Sequence, residues 1–408
     1  MKMYDGLNKM LTGDYLLHKM SIYPEYNHLY IKKFDPCIRL NELSKIYDIY
    51  VPTKMTIEIY VQLYLSLIKS LNKKCTMAAQ KQRYCSLQNG VIGGADSFTI
   101  LGGSGIGKST AINVAIKQII NSQIIEIQHP YSKVIPFLTV QCPYDSSVRS
   151  MLLEILRQID EVFKTDNYSH AIKQRLTIDV LIGKVAQLCL NHIGVLIIDE
   201  IQNIAISKNG KMLIRSLTQL INNSGVSICM VGIPECEDFF TQEMYLARRC
   251  TGLKYNKLSY ENFKEICCVI WKYQFTTNIT ELNKDIIDWL YYYTDGIVAI
   301  LIQLVHDSQE FCIINNIESL TINILDKVYS ERFSFVKPHI NNEYIINFNK
   351  NKMRKKEIEN TNDTKYKDNI LEILLQESKN KNKDMITLLK TVCKVEEHSC
   401  NSLKAPIE

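Results

Sequence analysis

A chain of 408 residues with 46% hydrophobic and 22% charged side chains has room for two or three domains and enough apolar content for a substantial core. A formal net charge of +5 permits contact with nucleic acid without requiring it. No apolar run reaches the roughly 18–20 residues that a bilayer span needs, and Met1-Lys2-Met3-Tyr4-Asp5-Gly6 begins no continuous apolar leader, so a cytoplasmic protein without membrane contact is expected.

Residues before about Met55 are rich in tyrosine and polar groups and weakly periodic. Val51-Pro52-Thr53 then reads as a helix start with Thr53 as the cap. Beyond it Tyr60, Leu63, Tyr64, Leu67, Ile68 and Leu71 recur at helical spacing. Residues 72–89 are polar and basic and read as a linker or surface arm. There Lys73, Lys74, Lys81 and Arg83 are either a solvated surface or a DNA contact.

Next comes a β-branched run from Phe98, followed by Gly102-Gly103-Ser104-Gly105-Ile106-Gly107-Lys108-Ser109-Thr110. Its spacing is G-x-x-x-x-G-K-S, the phosphate-binding loop. The glycines let the chain fold tightly enough for backbone N–H groups to face phosphate oxygens. Lys108 reaches the outer phosphates, and the Ser109 hydroxyl is placed to ligate Mg²⁺. A helix follows, with Ile112, Ala115, Ile116, Ile119 and Ile120 as its buried stripe. Its positive dipole end faces the phosphates. This stretch predicts that the chain binds a nucleoside triphosphate.

Residues 134–142 read as the next strand, interrupted at Pro136. Val148, Met151, Leu152, Ile155, Leu156, Ile159 and Val162 trace an amphipathic helix, and residues 175–191 another. Val195-Leu196-Ile197-Ile198 has the apolar continuity of a parallel strand buried on both faces, and it ends in Asp199-Glu200. Downstream of a complete phosphate loop this reads as Walker B: Asp199 holds Mg²⁺ directly or through water, and Glu200 orients or deprotonates the attacking water. A helix over 211–222 and a strand over 226–231 follow, with 253–258 as the last strand. The alternation predicts a three-layer α/β core.

From Tyr260 the period is helical. Phe263, Ile266, Cys267, Ile270 and Trp271 form one stripe, and Ile286, Ile287, Leu290 and Tyr291 another. Further helices are expected from Gly296 and over 322–328. Beyond Pro338 the chain is Asn/Lys-rich, with Lys350, Lys352, Arg354, Lys355 and Lys356 close together and an apolar helix near 370–375. That composition suggests a flexible tail, either solvated or gripping DNA or a partner. Thirteen cysteines are scattered without a C-x-x-C pair and read as small buried hydrophobes rather than a disulfide or metal framework.

The phosphate loop, the Asp-Glu pair, Arg248-Arg249 after the fourth strand and the helical C-terminal part together resemble an AAA+ ATPase. That family's architecture is a P-loop NTPase core with a parallel sheet followed by a small helical lid. The segments 102–113, Ile198-Asp199-Glu200-Ile201-Gln202-Asn203, Val231-Gly232-Ile233-Pro234-Glu235, Leu246-Ala247-Arg248-Arg249 and Thr294-Asp295-Gly296-Ile297 are similar to those of the TnsC transposition regulators and their TniB relatives. The resemblance covers roughly 51–338. It implies an N-terminal extension at 1–90 that contacts a partner or DNA, a nucleotide-binding core at 91–259, a lid at 260–338 and a tail at 339–408.

The resemblance also implies cofactors, partners and roles. With ATP and Mg²⁺ such proteins assemble as rings or helical filaments on double-stranded DNA, joining a TnsD/TniQ-like target selector to TnsA/TnsB-like transposase subunits. Carried onto this chain, Lys108 and Ser109 bind phosphate and Mg²⁺, Asp199 supports the metal and Glu200 activates water. Arg248 or Arg249 serves as a finger reaching a neighbouring subunit's γ-phosphate, the alternative being a surface ion pair. Lys208 and Lys211 are the expected pore-facing DNA contacts. Two departures stand out: Gly232-Ile233 lacks the polar sensor many AAA+ proteins carry there, and Gly296-Ile297-Val298-Ala299-Ile300 lacks a lid arginine. Both fit a slow switch better than a motor. A helicase-loader or initiator ATPase, and a signalling switch without DNA binding, share the same core motifs.

Overall fold

The apolar run ending at Asp199 lies inside a six-stranded sheet. The computed structural model describes residues 6–81, 97–128, 131–237, 240, 251–336 and 338. Arg83, Arg248, Arg249 and the tail at 339–408, with its lysine cluster and the apolar segment 370–375, lie outside the described residues. The strands are β1 (Phe98–Gly102), β2 (Ile125–Gln128), β3 (Tyr131–Gln141), β4 (Ile193–Asp199), β5 (Ser227–Gly232) and β6 (Thr251–Tyr255). Their order is β2-β3-β4-β5-β1-β6, all parallel except for β2, which pairs antiparallel with β3 at the edge. In this register Leu101 lies beside Gly232, and Ile198 is flanked by Val140 and Met230. The ends of β1, β5 and β4 therefore open side by side, where ligands of parallel sheets bind.

Side-chain alternation builds the layers. Leu196 and Ile198 of β4, with Ile228 and Met230 of β5, face α6 (Val148–Phe163), α8 (Ile178–His192) and α10 (Gly210–Ser224). Val195, Ile197, Cys229 and Val231 face the other way, onto α1 (Gly13–Met20), α4 (Lys54–Lys81) and α5 (Lys108–Ile119). This is the three-layer α/β arrangement expected from the sequence. The α6 stripe is buried from Val148 to Ile159 as its spacing requires. Pro136 is tolerated because β2 stops pairing at Val134, so no neighbour on that edge needs its missing N–H. Two short helices, α7 (Asn167–Lys173) and α9 (Gln202–Ile206), and the β2 strand were not anticipated.

Four helices follow the sheet: α11 (Tyr260–Ile270), α12 (Lys284–Thr294), α13 (Val298–Ile314) and α14 (Ile322–Arg332). Phe263, Trp289, Leu290, Leu304 and Val328 join in one apolar core. Among the described residues no single helix is long and apolar enough to cross a membrane. Six of the eight described cysteines are buried, and burial raises the Cys142 thiol to about 11 and that of Cys189 to about 12.

The N-terminal residues are divided between the two bodies. Leu16 and Met20, with Ile59 to Leu71 of α4, sit under the sheet. Ile31, Leu43, Ile46 and Ile49, carried by α2 (His28–Ile31), α3 (Pro36–Glu42) and the 3₁₀ turn after it, enter the core of the four-helix part. Thr53 is the residue before α4, but its hydroxyl has no partner; instead Thr56 Oγ1 accepts from the Thr53 N–H at 3.1 Å.

Three sequence expectations need correction. The segment after Leu71 is not a linker from Asn72, because α4 runs on to Lys81. Lys74 is not a surface cation: it is buried, and its ammonium donates to the carbonyls of Cys189 and Leu190 at 2.8 and 2.7 Å, in the last turn of α8. Those carbonyls are the negative end of the helix, which explains a lysine inside the fold, while burial lowers its pKa to about 8. The last strand is β6, Thr251–Tyr255, rather than 253–258, because pairing with β1 begins at Phe98.

Arg39 fastens the N-terminal segment to the four-helix part. Its guanidinium is 3% exposed and grips Glu318 bidentately at 2.8 and 2.6 Å, with a third bond to the Phe275 carbonyl. Thr277 donates to the same carboxylate through N–H and hydroxyl. Arg39 first, and the Thr277 donors with it, hold the Glu318 pKa down at about 2. The stabilisation is complete above the ordinary carboxylate range and is lost as pH falls from there towards 2. Arg39→Met is expected to cost about 2 kcal/mol in urea unfolding at pH 7, because the half-buried Glu318 loses its charged partner and keeps only the two Thr277 donors. The variant should also lose much of the wild-type decline in stability between pH 4.5 and 3.

Candidate nucleotide-binding site

The loop after β1 wraps around the start of α5. Gly105 and Gly107 adopt φ values of +78° and +94°, a region costly for side chains with a Cβ. The Gly102 carbonyl accepts from Lys108 Nζ at 2.7 Å and that of Gly103 at 2.9 Å, so the ammonium folds back across the mouth of the loop. Burial lowers the Lys108 pKa, and the charges of Asp199 and Glu200 oppose that effect. Ser104 and Thr110 are exposed, whereas Ile106 is buried against Gly102, where a Cβ would stand 2.4 Å from Ile106 Cδ1.

The Ser109 hydroxyl donates to Asp199 Oδ2 at 3.0 Å, joining the first turn of α5 to the end of β4. The other oxygen, Asp199 Oδ1, accepts from the Glu200 N–H at 2.8 Å. Glu200 turns the chain out of the sheet with φ +60°, a conformation worth about 1–3 kcal/mol of strain in a non-glycine residue. The Glu200 carboxylate is exposed and accepts from Gln202 Nε2. The sequence-predicted residues Gly102 to Thr110, Asp199 and Glu200 are thus brought to one end of the sheet. Arg248 and Arg249 lie outside the described residues. Lys208 and Lys211 are exposed beside the start of α10, away from any hydrogen bond to Asp199 or Glu200.

The four-helix part closes over this loop. The Ala299 N–H, at the start of α13, donates to the Gly105 carbonyl at 3.1 Å. A Cβ on Gly105 would stand 3.0 Å from Ile297 Cγ2 and 3.2 Å from Ala299 Cβ. Asp295 and Gly296, at φ +51° and +70°, make the turn that delivers this segment, and Lys257 holds Asp295 in an ion pair at 2.5 Å. Between the two bodies lies a cavity of about 160 Å³, lined by Tyr47, Tyr50, Val51, Ile106, Ile270 and Ile302 among others. Its wall is mainly apolar, suiting a flat heteroaromatic base. Of these lining residues the sequence assigns only Ile106 to the site, as part of the phosphate loop; Tyr47, Tyr50, Val51, Ile270 and Ile302 are additions of the structure.

These residues fit a nucleoside triphosphate with Mg²⁺. The loop carries the glycine conformations and the lysine for the phosphates, and Ser109 with Asp199 presents hard oxygen ligands of the kind Mg²⁺ takes. Bound there, the metal would neutralise phosphate charge.

Residues 92–240 match the family model of the AAA domain. That match covers the loop, β4 and β5, and implies nucleotide binding. No curated protein matches the chain. Among solved structures it is similar to the ORC1 protein of Aeropyrum pernix, solved in complex with DNA, at 10% identity and a TM-score of 0.41, over 64% of each chain. It is also similar to a Walker-type ATPase of Pyrococcus abyssi, at 11% identity and a TM-score of 0.34, over 60% of this chain and 71% of that one. The chain therefore spans less than two thirds of the ORC1 chain's length.

Lys108→Ala is expected to abolish binding of a fluorescent ATP analogue. Asp199→Asn should retain binding without Mg²⁺ but lose most of the extra affinity that Mg²⁺ gives. Titrations with and without the metal measure both.

Proposed function

We propose that this protein is an ATP-driven switch of the TnsC type. ATP and Mg²⁺ bind between the sheet and the four-helix lid, and ATP-bound copies assemble on duplex DNA to join a target selector to a transposase. The observation that carries the switch is the bond from Ala299 N–H to Gly105 O. A lid that touches the phosphate loop directly has a different contact surface in each nucleotide state, and a ligand shifts a conformation through such differences.

Lys108 neutralises the phosphates, Ser109 and Asp199 hold the metal, and Glu200 takes the proton of the attacking water. Arg248 or Arg249 completes the site of a neighbouring copy, so hydrolysis is slow outside the assembly. Support for the DNA and transposition part comes from the sequence motifs at 231–235, 246–249 and 294–297 together with the exposed Lys208 and Lys211.

Electron microscopy with a slowly hydrolysed ATP analogue and non-specific duplex DNA should show rings or filaments that are absent without nucleotide. Glu200→Gln should still assemble but not turn over. Affinity for DNA should fall steeply with salt as counterions are released. Particles that stay monomeric on DNA with the analogue would sink the assembly reading.

A further inference from the structure

Glu200 leaves β4 in a left-handed conformation with its carboxylate exposed, a poor way to hold a general base still. Gln202 supplies the missing support. Its Nε2 donates to Glu200 Oε2, and its own Oε1 is buried without a partner. The carboxamide reaches the end of β5, the place where the chain has Gly232 instead of a polar side chain. A Cβ on Gly232 would stand 3.2 Å from Gln202 Oε1 and 2.5 Å from Ile201 Cγ1. Ile201 anchors this arrangement: it is buried, and its N–H donates to the Val231 carbonyl at 3.1 Å.

We infer that Gln202 is a positioning residue for ATP hydrolysis, acting through Glu200, and that residue 232 is glycine to leave room for Ile201 first and for the Gln202 carboxamide beside it. The inference rests on the ATPase reading above. A glutamate has three rotatable side-chain bonds, and one fixed carboxamide donor selects among its rotamers. With one lone pair of Oε2 engaged by Gln202, Oε1 is the more basic oxygen and the one assigned to accept the proton. The water oxygen bonds the γ-phosphorus as the bond to the β–γ bridging oxygen breaks, and the water proton passes to Glu200 Oε1. The apolar end of β5 is then no gap in the machinery, because the polar group comes from the neighbouring strand's exit.

The test is steady-state and single-turnover ATPase kinetics, with nucleotide affinity measured separately using a non-hydrolysed analogue. Wild type and Glu200→Gln come first. A wild type that neither binds nor hydrolyses ATP overturns the ATPase reading and this inference together. Given an active wild type, Gln202→Leu, which keeps the packing but removes the donor, should lower kcat roughly tenfold or more and leave the analogue's Kd unchanged. Gln202→Asn, too short to reach, should behave alike. Gly232→Ala should cause a similar loss by pushing Ile201 and with it the adjoining carboxamide, and the double variant Gln202→Leu/Gly232→Ala should lose little more than either alone. Should Gly232→Ala fail to fold, the two Gln202 variants decide alone. An unchanged or raised kcat in Gln202→Leu, or a Kd weakened as much as kcat, overturns the positioning role while leaving the ATPase reading intact.

Discussion

The hydrogen bond from the Ala299 N–H to the Gly105 carbonyl joins the two halves of the nucleotide site. It brings the start of α13 within van der Waals reach of the phosphate loop, where a Cβ at position 105 would crowd the Ile297 and Ala299 side chains. Gly105 also needs a positive φ for the loop to turn. One glycine thus meets two demands, the curvature that surrounds phosphate and the clearance that admits the lid. The Asp295-Gly296 turn, held by the Lys257 ion pair, delivers the segment that makes this approach, and the apolar cavity lies beside it.

On the opposite side of the loop, Asp199 links Ser109 to the backbone of Glu200 through its two carboxylate oxygens. Two carboxylates on consecutive residues would ordinarily point to opposite faces of a strand. The left-handed turn at Glu200 relieves that constraint by ending the strand between them.

The parts of the site that the sequence made legible are those whose chemistry is contiguous along the chain. The nine residues from Gly102 to Thr110 and the Asp199-Glu200 pair carry their spacing within a few bonds, and the apolar stripes of α5 and α6 repeat at 3.6 residues. Lys74 was misread because a basic composition says nothing of a helix terminus brought over it from more than a hundred residues away. The rest of the cavity lining was invisible for the same reason, since Tyr47, Ile270 and Ile302 meet the loop residue Ile106 only in three dimensions. The β2 strand was missed because four residues give too short an alternation to stand out. At the end of β5 the sequence showed only an apolar Gly232-Ile233, and the side chains that fill the space, Ile201 and Gln202, belong to β4's exit.

The division of the N-terminal residues between two cores has a mechanical consequence. The chain crosses between the sheet body and the four-helix body three times, at residues 21–25, 50–53 and 256–259. A body hung from one strand of chain can swivel in any direction; each further crossing removes part of that freedom. The second crossing is itself part of the cavity wall, through Tyr50, Val51 and Thr53. Whatever enters that cavity presses on one of the three connections between the bodies.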